Sequence, residues 1–399
     1  MIEQKVEQLR ILHSVGSLNV GGIETWLMNL LRQQLKEIHF DFIVSTPGGT
    51  YEEEAKKYGC RIFSTPSTSR LEKRLNIVNL GKRDRTLEEV LLAGNYHIFH
   101  VHGTEFLGDA VKIAAKCGVP VRVAHCHSTG GIGRFRRNPE LWVRGLRFRT
   151  LDRHRILKYA SDILTVSGES GRFFVSRHWD TDQRCKTLFC GVPLDHFVEA
   201  QRKWTREDFR RAHGIPSEAI VVGHAGSMWD NRKNHSFLLK VFAELALRND
   251  RYQLFMAGDG PRRSRLKREV EELNLQGRVF LPGSCSDVPS LMVHGFDAHV
   301  LPSLWEGLPI VGLEAVASGL YTICADTITK DYTEPLKERV KAMSLKMSVE
   351  NWANAIEMAL SKRIPVQEGI SIIQKSPFSI SNSLASLLHI YRQRLRLQE

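Results

Sequence analysis

The sequence has no run of 18 apolar residues, so it predicts no helix that crosses a membrane. Its seven cysteines are odd in number and include no Cys-x-x-Cys pair, which argues against a disulfide framework and against a structural zinc site. The first ten residues are charged and lack the apolar stretch of a secretory signal. From these absences we expect a protein of the reducing cytoplasm.

Positive charge is what the sequence has in excess. Its 399 residues include 56 Lys and Arg but only 44 Asp and Glu, which gives a formal net charge of +12. Such an excess favours a negatively charged partner, which could be nucleic acid, an anionic membrane surface or a phosphorylated substrate. The sequence contains no recognisable nucleic-acid-binding module, so we expect no nucleic-acid partner.

The largest concentration of this charge lies in residues 134–158, where nine basic residues stand against two acidic ones. The pattern predicts a helix whose apolar stripe is imperfect. One interpretation is a solvated helix face. The other is a surface for anionic lipids or for the phosphates of an acceptor, which would place the protein peripherally on the inner face of the membrane.

Short apolar runs alternate with helical patterns along the whole chain, and many of these runs are continuous, which is typical of parallel strands covered on both faces. At roughly 100–200 residues per domain, the length predicts two domains. We expect two doubly wound, Rossmann-like α/β domains at 1–195 and 196–380, and an amphipathic helix at 381–399. The predicted strands are Ile11–Val15, Phe40–Val44, Arg61–Ser64, His97–Val101, Val121–His125, Asp162–Ser167, Ile220–His224, Tyr252–Ala257, Arg278–Leu281, Asp297–Leu301 and Tyr321–Cys324.

Ligands of such sheets bind beyond the carboxyl ends of the strands, so the loops that follow strands are the candidate sites. The glycine-rich segment 16–24 follows the first strand and opens the first helix. Its Gly21 and Gly22 would let the backbone approach a ligand, and helix amides attract an anion. The glycine spacing is neither GxGxxG nor a Walker A loop, which disfavours NAD and ATP sites. An ordinary tight turn is the alternative.

The segment 302–315 follows another predicted strand and carries two glutamates. Pro309 suits the first helical position, so we expect Glu306 at the mouth of the helix and Glu314 about one and a half turns inside it. A carboxylate placed there can accept paired hydrogen bonds from the hydroxyls of a ribose or a hexose. Two solvated glutamates are the alternative. The amides expected to face a phosphate are those of Gly307, Leu308 and Ile310.

The loop 224–235 is a third candidate, because Arg232 and Lys233 lie just before a predicted helix. We expect Asn234 to cap that helix. Two cations at a helix entrance form a natural diphosphate site, although two solvated basic side chains are the alternative.

Histidines occur in pairs at two strand ends, as His100 with His102 and as His125 with His127. Residues i and i+2 share one face of a strand, so each pair points the same way. A metal would be strongly indicated only by a carboxylate-rich shell, so we expect no metal and favour one histidine as a polar contact or proton donor. The Asp-x-Asp at 180–182 follows no buried strand and predicts a solvated loop.

Together these segments resemble the retaining glycosyltransferases of family 4, whose two-domain architecture is called GT-B. The resemblance spans nearly the whole chain, and its Glu-x7-Glu signature is specific when it occurs in order with the other segments. The resembling stretches are 21–24, 124–128, 258–261, 280–283 with Asp287 and Val288, and 302–303 with Glu306 and Glu314.

The resemblance implies transfer of a hexose with retention from a nucleotide diphosphate sugar, with UDP or GDP favoured, and without a metal or another cofactor. The implied acceptor is a saccharide or a polyprenyl-linked molecule in cell-surface polysaccharide or glycolipid synthesis. The implied architecture has two Rossmann-like domains facing a central cleft, an acceptor-binding N-terminal one and a nucleotide-sugar-binding C-terminal one. The C-terminal helix would return to the N-terminal domain.

The resemblance also assigns roles to residues. His127 would hydrogen-bond the sugar near its reacting carbon, Glu306 would contact the sugar hydroxyls, and Lys233 would pair with the diphosphate. Glu314 would contact the ribose, and Gly22 would approach the donor phosphates. The full implied donor-binding set is Gly21, Gly22, Gly226, Arg232, Lys233, Gly258, Asp287, Val288, Gly307, Leu308 and Glu314.

The sequence departs from the family pattern at one point. The family usually has Arg directly after the glycine that matches Gly226, and Lys about five residues later, whereas here Ser227 follows and Lys233 stands one position further on. Arg232 could supply the missing guanidinium, or the site could bind diphosphate more weakly. A nucleotide-sugar epimerase of the same architecture and a catalytically inactive homologue are the alternatives to transfer.

Overall fold

The computed structural model describes residues 8–65, 80–103, 106–129 and 151–396. Its contacts divide the chain into two compact units. The first unit consists of Met1–Cys190 with Ser383–Glu399, and the second of Gly191–Asn382. The predicted boundaries at 195 and 380 fall a few residues from these divisions.

The first unit contains a seven-stranded parallel sheet with the strand order β3-β2-β1-β4-β5-β6-β7. Strands β4, β5 and β6 are almost entirely buried, as expected for strands that helices cover on both faces. The strands are β1 (Leu9–Val15), β2 (Ile38–Val44), β3 (Ile62–Ser64), β4 (Ile98–Gly103), β5 (Val121–Cys126), β6 (Asp162–Thr165) and β7 (Cys185–Thr187). The helices are α1 (Gly22–Leu31), α2 (Glu52–Lys57), α3 (Leu80–Gly94), α4 (Leu107–Lys116), α5 (Arg153–Tyr159) and α6 (Gly168–Phe174).

The second unit contains a six-stranded parallel sheet with the order β10-β9-β8-β11-β12-β13. The strands are β8 (Ile220–Ala225), β9 (Tyr252–Ala257), β10 (Val279–Gly283), β11 (Ala298–Leu301), β12 (Thr322–Ala325) and β13 (Val340–Met343). The helices are α7 (Asp195–Lys203), α8 (Arg206–Ala212), α9 (His235–Arg248), α10 (Arg263–Glu272), α11 (Ile310–Ala317), α12 (Lys330–Thr333), α13 (Val349–Leu360) and α14 (Val366–Lys375). Short helical turns span Val288–Ser290 and Leu291–Gly295.

Each sheet is held by a core of strand and helix side chains. In the second unit, Leu254 and Val300 of the sheet pack with Leu238, Phe242 and Trp352 of the helices, and all five are fully buried. Burying one such side chain contributes about 1.5–3 kcal/mol relative to leaving it exposed. The doubly wound α/β class predicted for both units is confirmed, and every predicted strand is present.

The last helix, α15 (Ile380–Arg396), packs on the first unit through its residues from Ser383 onward. Leu384, Leu387 and Tyr391 are buried, as the predicted apolar face requires. The Trp26 indole donates a hydrogen bond of 3.0 Å to Ser383 Oγ. These contacts hold the C-terminal segment on the N-terminal part of the chain.

The basic segment 134–158 is described only from Leu151 onward, so the expectation for residues 134–150 lies outside the described residues. Within the described part, Arg155 forms an ion pair with Asp109 of α4. No helix in the described ranges is both long enough and apolar enough to cross a membrane.

Candidate functional site

The loops that leave the carboxyl ends of β8, β9, β10 and β11 meet at one edge of the second sheet, because these four strands are neighbours in it. Backbone hydrogen bonds of 2.8–2.9 Å join the loops. They run from Gly226 N to Ala257 O, from Met228 N to Asp259 O, from Gly258 N to Gly283 O, and from Leu304 N to Arg232 O. The residues that the sequence singled out in this unit therefore belong to one connected set of loops.

Lys233 and Glu306 form an ion pair at this edge, with 2.7 Å between Lys233 Nζ and Glu306 Oε1. Their side chains are only 10% and 7% exposed. Charges so far removed from water persist only when paired, and removing one partner of such a pair costs about 3–5 kcal/mol. Two residues predicted to contact different parts of a donor thus contact each other in this structure.

Glu314 lies in α11, downstream of Glu306. Desolvation raises the pKa of the Glu314 carboxyl to about 7, and the charge of Lys233 acts in the opposite direction. Near neutral pH this carboxyl is therefore poised between its charged and neutral forms. A group with such a pKa in a loop-lined site is a functional candidate on physical grounds.

The start of α11 differs from the expectation in two details. Pro309 is the residue before the helix rather than its first residue, since the helix begins at Ile310, and Pro309 O accepts from Gly312 N at 2.9 Å. The amide of Ile310 donates to Leu308 O at 3.1 Å, so the prediction that it faces a phosphate is wrong for this conformation. Gly307 and Leu308 are buried directly before the helix.

The entrance to α9 also differs from the prediction. Asn234 occupies the N-cap position of the helix, as predicted, but it adopts a left-handed conformation with φ of 55° and its side chain makes no capping hydrogen bond. Arg232 donates its amide to Asp230 Oδ1 at 2.9 Å. Its Nε is buried and has no hydrogen-bond partner among the described residues. Ser227 carries no charge, so Arg232 supplies the guanidinium of the loop 224–235.

Gly258 has a structural reason to be glycine. Its φ is +143°, and a Cβ at this position would lie 2.0 Å from the carbonyl oxygen of Gly226. Gly226 is itself confined, since a Cβ there would lie 3.1 Å from His224 Nε2 and from Lys233 Cδ. These two glycines are needed to pack the loops together, whether or not they also approach a donor.

Asp287 and Val288 lie at the turn that follows β10. Burial alone would raise the pKa of Asp287, but hydrogen bonds from Lys203 and from Ser290 hold it below its ordinary value. Its side chain accepts from Ser290 N at 3.1 Å and from Lys203 Nζ at 2.7 Å. The Asp287 carboxylate is thus occupied as a helix cap, which leaves the backbone here as the part that could contact a nucleotide base.

In the first unit, the glycine-rich loop leads from β1 into α1. Gly21 is the N-cap of that helix and Gly22 is its first residue. A Cβ added at Gly22 would meet no atom within 4 Å, so the fold itself does not require glycine there. An absent side chain at a helix N-terminus leaves its amides open to an approaching anion.

A cavity of about 370 Å³ lies at the carboxyl edge of the first sheet. Its lining includes a carboxyl group, a guanidinium, an imidazole and an aromatic ring, which belong to Glu24, Arg83, His102 and Phe106. Burial raises the pKa of Glu24. Aliphatic side chains form most of the remaining wall, and a few polar groups on a largely apolar wall are typical of sites for organic ligands.

The predicted histidine pairs lie side by side in the first sheet, and His13 of β1 joins them. Sequence reasoning missed His13, although β1 pairs with β4 so that His13 stands beside His100. His13 Nδ1 lies 3.0 Å from His102 Nε2, and His102 Nδ1 lies 3.1 Å from His127 Nε2.

A second row of contacts runs beside the first. His100 Nε2 lies 3.2 Å from His125 Nδ1, and His100 Nδ1 lies 2.6 Å from the Tyr391 hydroxyl. Burial lowers the pKa of His13 and of His127 to about 3, and burial followed by the neighbouring histidines lowers the pKa values of the other three. All five imidazoles are therefore neutral at physiological pH and can act as hydrogen-bonding groups or as metal ligands.

The Asp-x-Asp segment is a surface turn, as predicted, with a short helical turn at Trp179–Thr181. Asp182 is paired with Arg184, whose Nη2 lies 2.7 Å from its Oδ2. The Asp182 carboxylate is therefore already occupied by a neighbouring arginine.

Comparisons with known proteins give consistent findings. A model of Glycosyltransferase Family 4 matches residues 20–196, and a model of Glycosyl transferases group 1 matches residues 205–394. The chain is 33% identical over 388 residues to EpsF of Bacillus subtilis (strain 168), whose name assigns it to the glycosyltransferases, and the match covers 96% of each chain.

A second relative is the UDP-Gal:alpha-D-GlcNAc-diphosphoundecaprenol alpha-1,3-galactosyltransferase of Escherichia coli, which is 25% identical over 271 residues, or 67% of this chain and 66% of that one. The solved structure of Anabaena HepE in complex with UDP and glucose is similar with a TM-score of 0.72 at 14% identity, and it covers 97% of this chain and 100% of that one. This last likeness concerns the fold, and it confirms the GT-B architecture expected from the sequence.

Proposed function

Since this chain belongs to the glycosyltransferases, with a Family 4 N-terminal half and a group 1 C-terminal half, we propose that it transfers a hexose with retention from a nucleotide diphosphate sugar, without a metal ion at the diphosphate. The observation that carries the proposal is the buried pair of Lys233 and Glu306 beside the raised-pKa carboxyl of Glu314. The donor is proposed to be a UDP- or GDP-sugar. The binding of UDP by the structural neighbour HepE favours the UDP-sugar.

The ion pair suggests how donor binding organises the site. A diphosphate is a stronger partner for a lysine than a single carboxylate, because it carries more charge. We propose that Lys233 turns to the diphosphate and that Glu306, so released, accepts hydrogen bonds from the sugar hydroxyls. Glu314 accepts hydrogen bonds from the ribose, and the unpaired Nε of Arg232 supports a second cationic contact to the diphosphate.

In the proposed reaction, the bond from the anomeric carbon to the diphosphate oxygen breaks, and the acceptor oxygen bonds to that carbon on the same face. The proton of the acceptor hydroxyl passes to the departing phosphate oxygen. Lys233 and Arg232 stabilise the charge that develops on the leaving group, which is the role that a metal plays in other transferases. His127, in its neutral form, holds the transferred sugar by a hydrogen bond.

The acceptor is proposed to be a saccharide or a polyprenyl-linked saccharide in cell-surface polysaccharide or glycolipid synthesis. The Escherichia coli relative acts, by its name, on a diphosphoundecaprenol-linked sugar, and the 370 Å³ cavity of the first unit offers Glu24 and Arg83 to a polar acceptor. We further propose that the basic segment 134–158 holds the protein on the anionic inner surface of the membrane, from the cytoplasmic side.

The proposal is tested by three variants of the ion pair. Lys233→Met should lower the transfer rate by about 100–1,000-fold, since a positioned group that stabilises developing charge is worth that much. Glu306→Gln should lower the transfer rate by a comparable factor. The double variant should regain the melting temperature lost by each single variant, because no buried charge is left unpaired, yet it should stay inactive.

The matched control is Lys56→Met, which removes the lysine of an exposed ion pair with Glu53 in the first unit. Its transfer rate should equal that of the wild type. Wild-type rates in Lys233→Met or in the double variant would refute the proposed role of the pair. An epimerase of this architecture would instead change the donor sugar without acceptor, and an inactive homologue would bind neither UDP nor GDP.

A further inference from the structure

Five histidines of the first unit form one continuous cluster at the carboxyl ends of β1, β4 and β5. Two overlapping triads occur within it, namely His13 with His100 and His102, and His102 with His125 and His127. In each triad, one ring nitrogen of every member lies within 4.8 Å of those of the other two. Imidazole nitrogens so close together are a donor set that suits Zn²⁺ and similar divalent transition-metal ions.

The distance between two ring nitrogens of the second triad fits a shared ion. Two nitrogens bound at about 2.0–2.1 Å to one tetrahedral ion lie about 3.3 Å apart. His102 Nδ1 and His127 Nε2 are 3.1 Å apart, so only a few tenths of an ångström separate this pair from joint ligation.

The outward hydrogen bonds fit as well, because a metal-bound histidine usually donates its other ring N–H to an acceptor. With Nδ1 as the ligand atom, His102 donates from Nε2 to His13 Nδ1 at 3.0 Å. With Nε2 as the ligand atom, His125 donates from Nδ1 to His100 Nε2 at 3.2 Å, and His127 places Nδ1 at 3.7 Å from Cys190 Sγ. All three second nitrogens thus have a partner.

Without an ion, the triad leaves a nitrogen unsatisfied. His125 Nε2 is buried and has no hydrogen-bond partner among the described residues. Leaving a buried polar group without a partner costs about 1–3 kcal/mol, so a ligand for this nitrogen is physically favoured.

Access distinguishes the two triads. The members of the first triad, His13, His100 and His102, are all buried, whereas the second triad includes His127, which is partly exposed. A neutral imidazole has one free lone pair, so His102 can serve only one ion at a time. We propose that His102, His125 and His127 form a binding site for one transition-metal ion of the Zn²⁺ type, with a fourth position open to water.

This ion takes no part in the proposed transfer. Because His127 is also the residue proposed to contact the transferred sugar, an ion here should inhibit transfer rather than support it. The metal site stands on its own geometry, and its binding is measured without donor or acceptor, so its failure and that of the proposed function are distinguishable.

The experiment titrates tag-free protein, freed of metal by a chelator and then desalted, with Zn²⁺ by calorimetry and with Co²⁺ by visible absorption. We expect one ion per chain and the visible bands of tetrahedral Co²⁺. Mg²⁺, which prefers oxygen ligands, should not bind this site. His127→Gln, the least buried ligand variant, should weaken Zn²⁺ binding by roughly 100-fold or more, and His13→Gln, which removes only an outer partner, by about 10–100-fold.

The matched control is His178→Gln, which removes an exposed histidine of the same unit and should leave Zn²⁺ binding unchanged. Circular dichroism and the melting temperature should show that each variant is folded. The proposal is overturned if the wild type takes up no stoichiometric Zn²⁺, or if His127→Gln retains full affinity. Loss of binding in His13→Gln alone would place the ion in the other triad and would equally overturn the assignment.

Discussion

At the scale of single residues, the second unit concentrates its chemistry in one lysine and two glutamates. Lys233 is held by Glu306 in a pair that is almost closed to water, and desolvation raises the pKa of Glu314. The charges of Lys233 and Glu306 are thus paired with each other before any donor arrives. Donor binding must therefore exchange the partners of this pair rather than add contacts to unpaired side chains.

The raised pKa of Glu314 predicts a pH-dependent stability. The carboxyl stays protonated in the folded protein up to about pH 7, whereas in the unfolded chain it ionises near 4.5. Folding therefore becomes less favourable as the pH rises from 4.5 to 7, by about 3–4 kcal/mol at about 1.4 kcal/mol per pKa unit. Below pH 4.5 both states are protonated and the effect is absent.

Replacing Glu314 by Gln should remove this penalty, so the melting temperature of Glu314→Gln relative to wild type should be higher at pH 8 than at pH 5. Thermal unfolding followed by circular dichroism measures the difference. Glu271→Gln, at an exposed position of α10, is the control and should show no such difference between the two pH values. An equal shift at both pH values would contradict the assigned pKa.

The sequence could place Glu306 and Glu314 correctly after β11, because the order of strand, loop and helix is encoded locally. It could not show that Lys233 contacts Glu306. That contact depends on the path of the loop between β8 and α9, where Asn234 stands at the N-cap in a left-handed conformation and makes no side-chain capping bond. Side-chain pairing across two loops depends on tertiary packing, which the local pattern does not contain.

At the scale of secondary-structure elements, the helix α15 is held on the first unit by ion pairs of very different burial. Arg394 makes two hydrogen bonds, of 2.8 and 3.0 Å, to Asp162 at the start of β6, and the Asp162 side chain is fully buried. Arg392 pairs with Glu37, and both side chains are about half exposed. The same helix therefore carries a buried ion pair and a surface one.

Arg394→Met should destabilise the protein by about 3 kcal/mol, since it removes two hydrogen bonds from a buried carboxylate, and Lys186, whose Nζ lies 3.6 Å away, is a more distant partner. Arg392→Met should cost at most about 1 kcal/mol, as exposed pairs do. Urea unfolding of both variants and the wild type gives the comparison. Equal costs for the two variants would show that α15 is not held through Asp162.

Elements with a continuous apolar pattern were predicted well, and the exceptions have a physical cause. The strand β13 was missed because it lies at the edge of the second sheet, is only four residues long and carries the partly exposed Lys341 and the exposed Ala342. His13 was missed as a member of the histidine cluster because it has no paired histidine of its own in the sequence. Only the parallel register of β1 with β4 brings it to His100.

At the scale of the whole molecule, the net charge of +12 is divided among different tasks. A few cations, such as Arg210 and Arg394, are used inside the units in ion pairs with Asp297 and Asp162. Lys233 is proposed to serve the diphosphate. The largest cluster, in residues 134–158, holds more than half of the net excess and is proposed to face anionic lipid.

This division predicts salt-sensitive binding to vesicles. The wild type should sediment with liposomes that contain anionic lipid at low salt and be released as the ionic strength rises, because each basic residue near the surface contributes about 1 kcal/mol. The triple variant of Arg134, Arg136 and Arg137 to Gln should lose most of this binding. A triple variant of the exposed Lys240, Lys267 and Arg268 to Gln removes the same charge and should bind like the wild type. Equal losses would show that only the total charge matters.

The most direct test of the central claim is proton NMR of the anomeric protons while the wild type turns over a panel of UDP- and GDP-sugars with a polyprenyl-diphosphate-linked saccharide as acceptor. The account predicts that one donor is consumed, that its nucleoside diphosphate is released, and that the new glycosidic linkage keeps the anomeric configuration of the donor, with the same rate when EDTA is present. A product of inverted configuration, or a sugar isomerised without transfer, would contradict it.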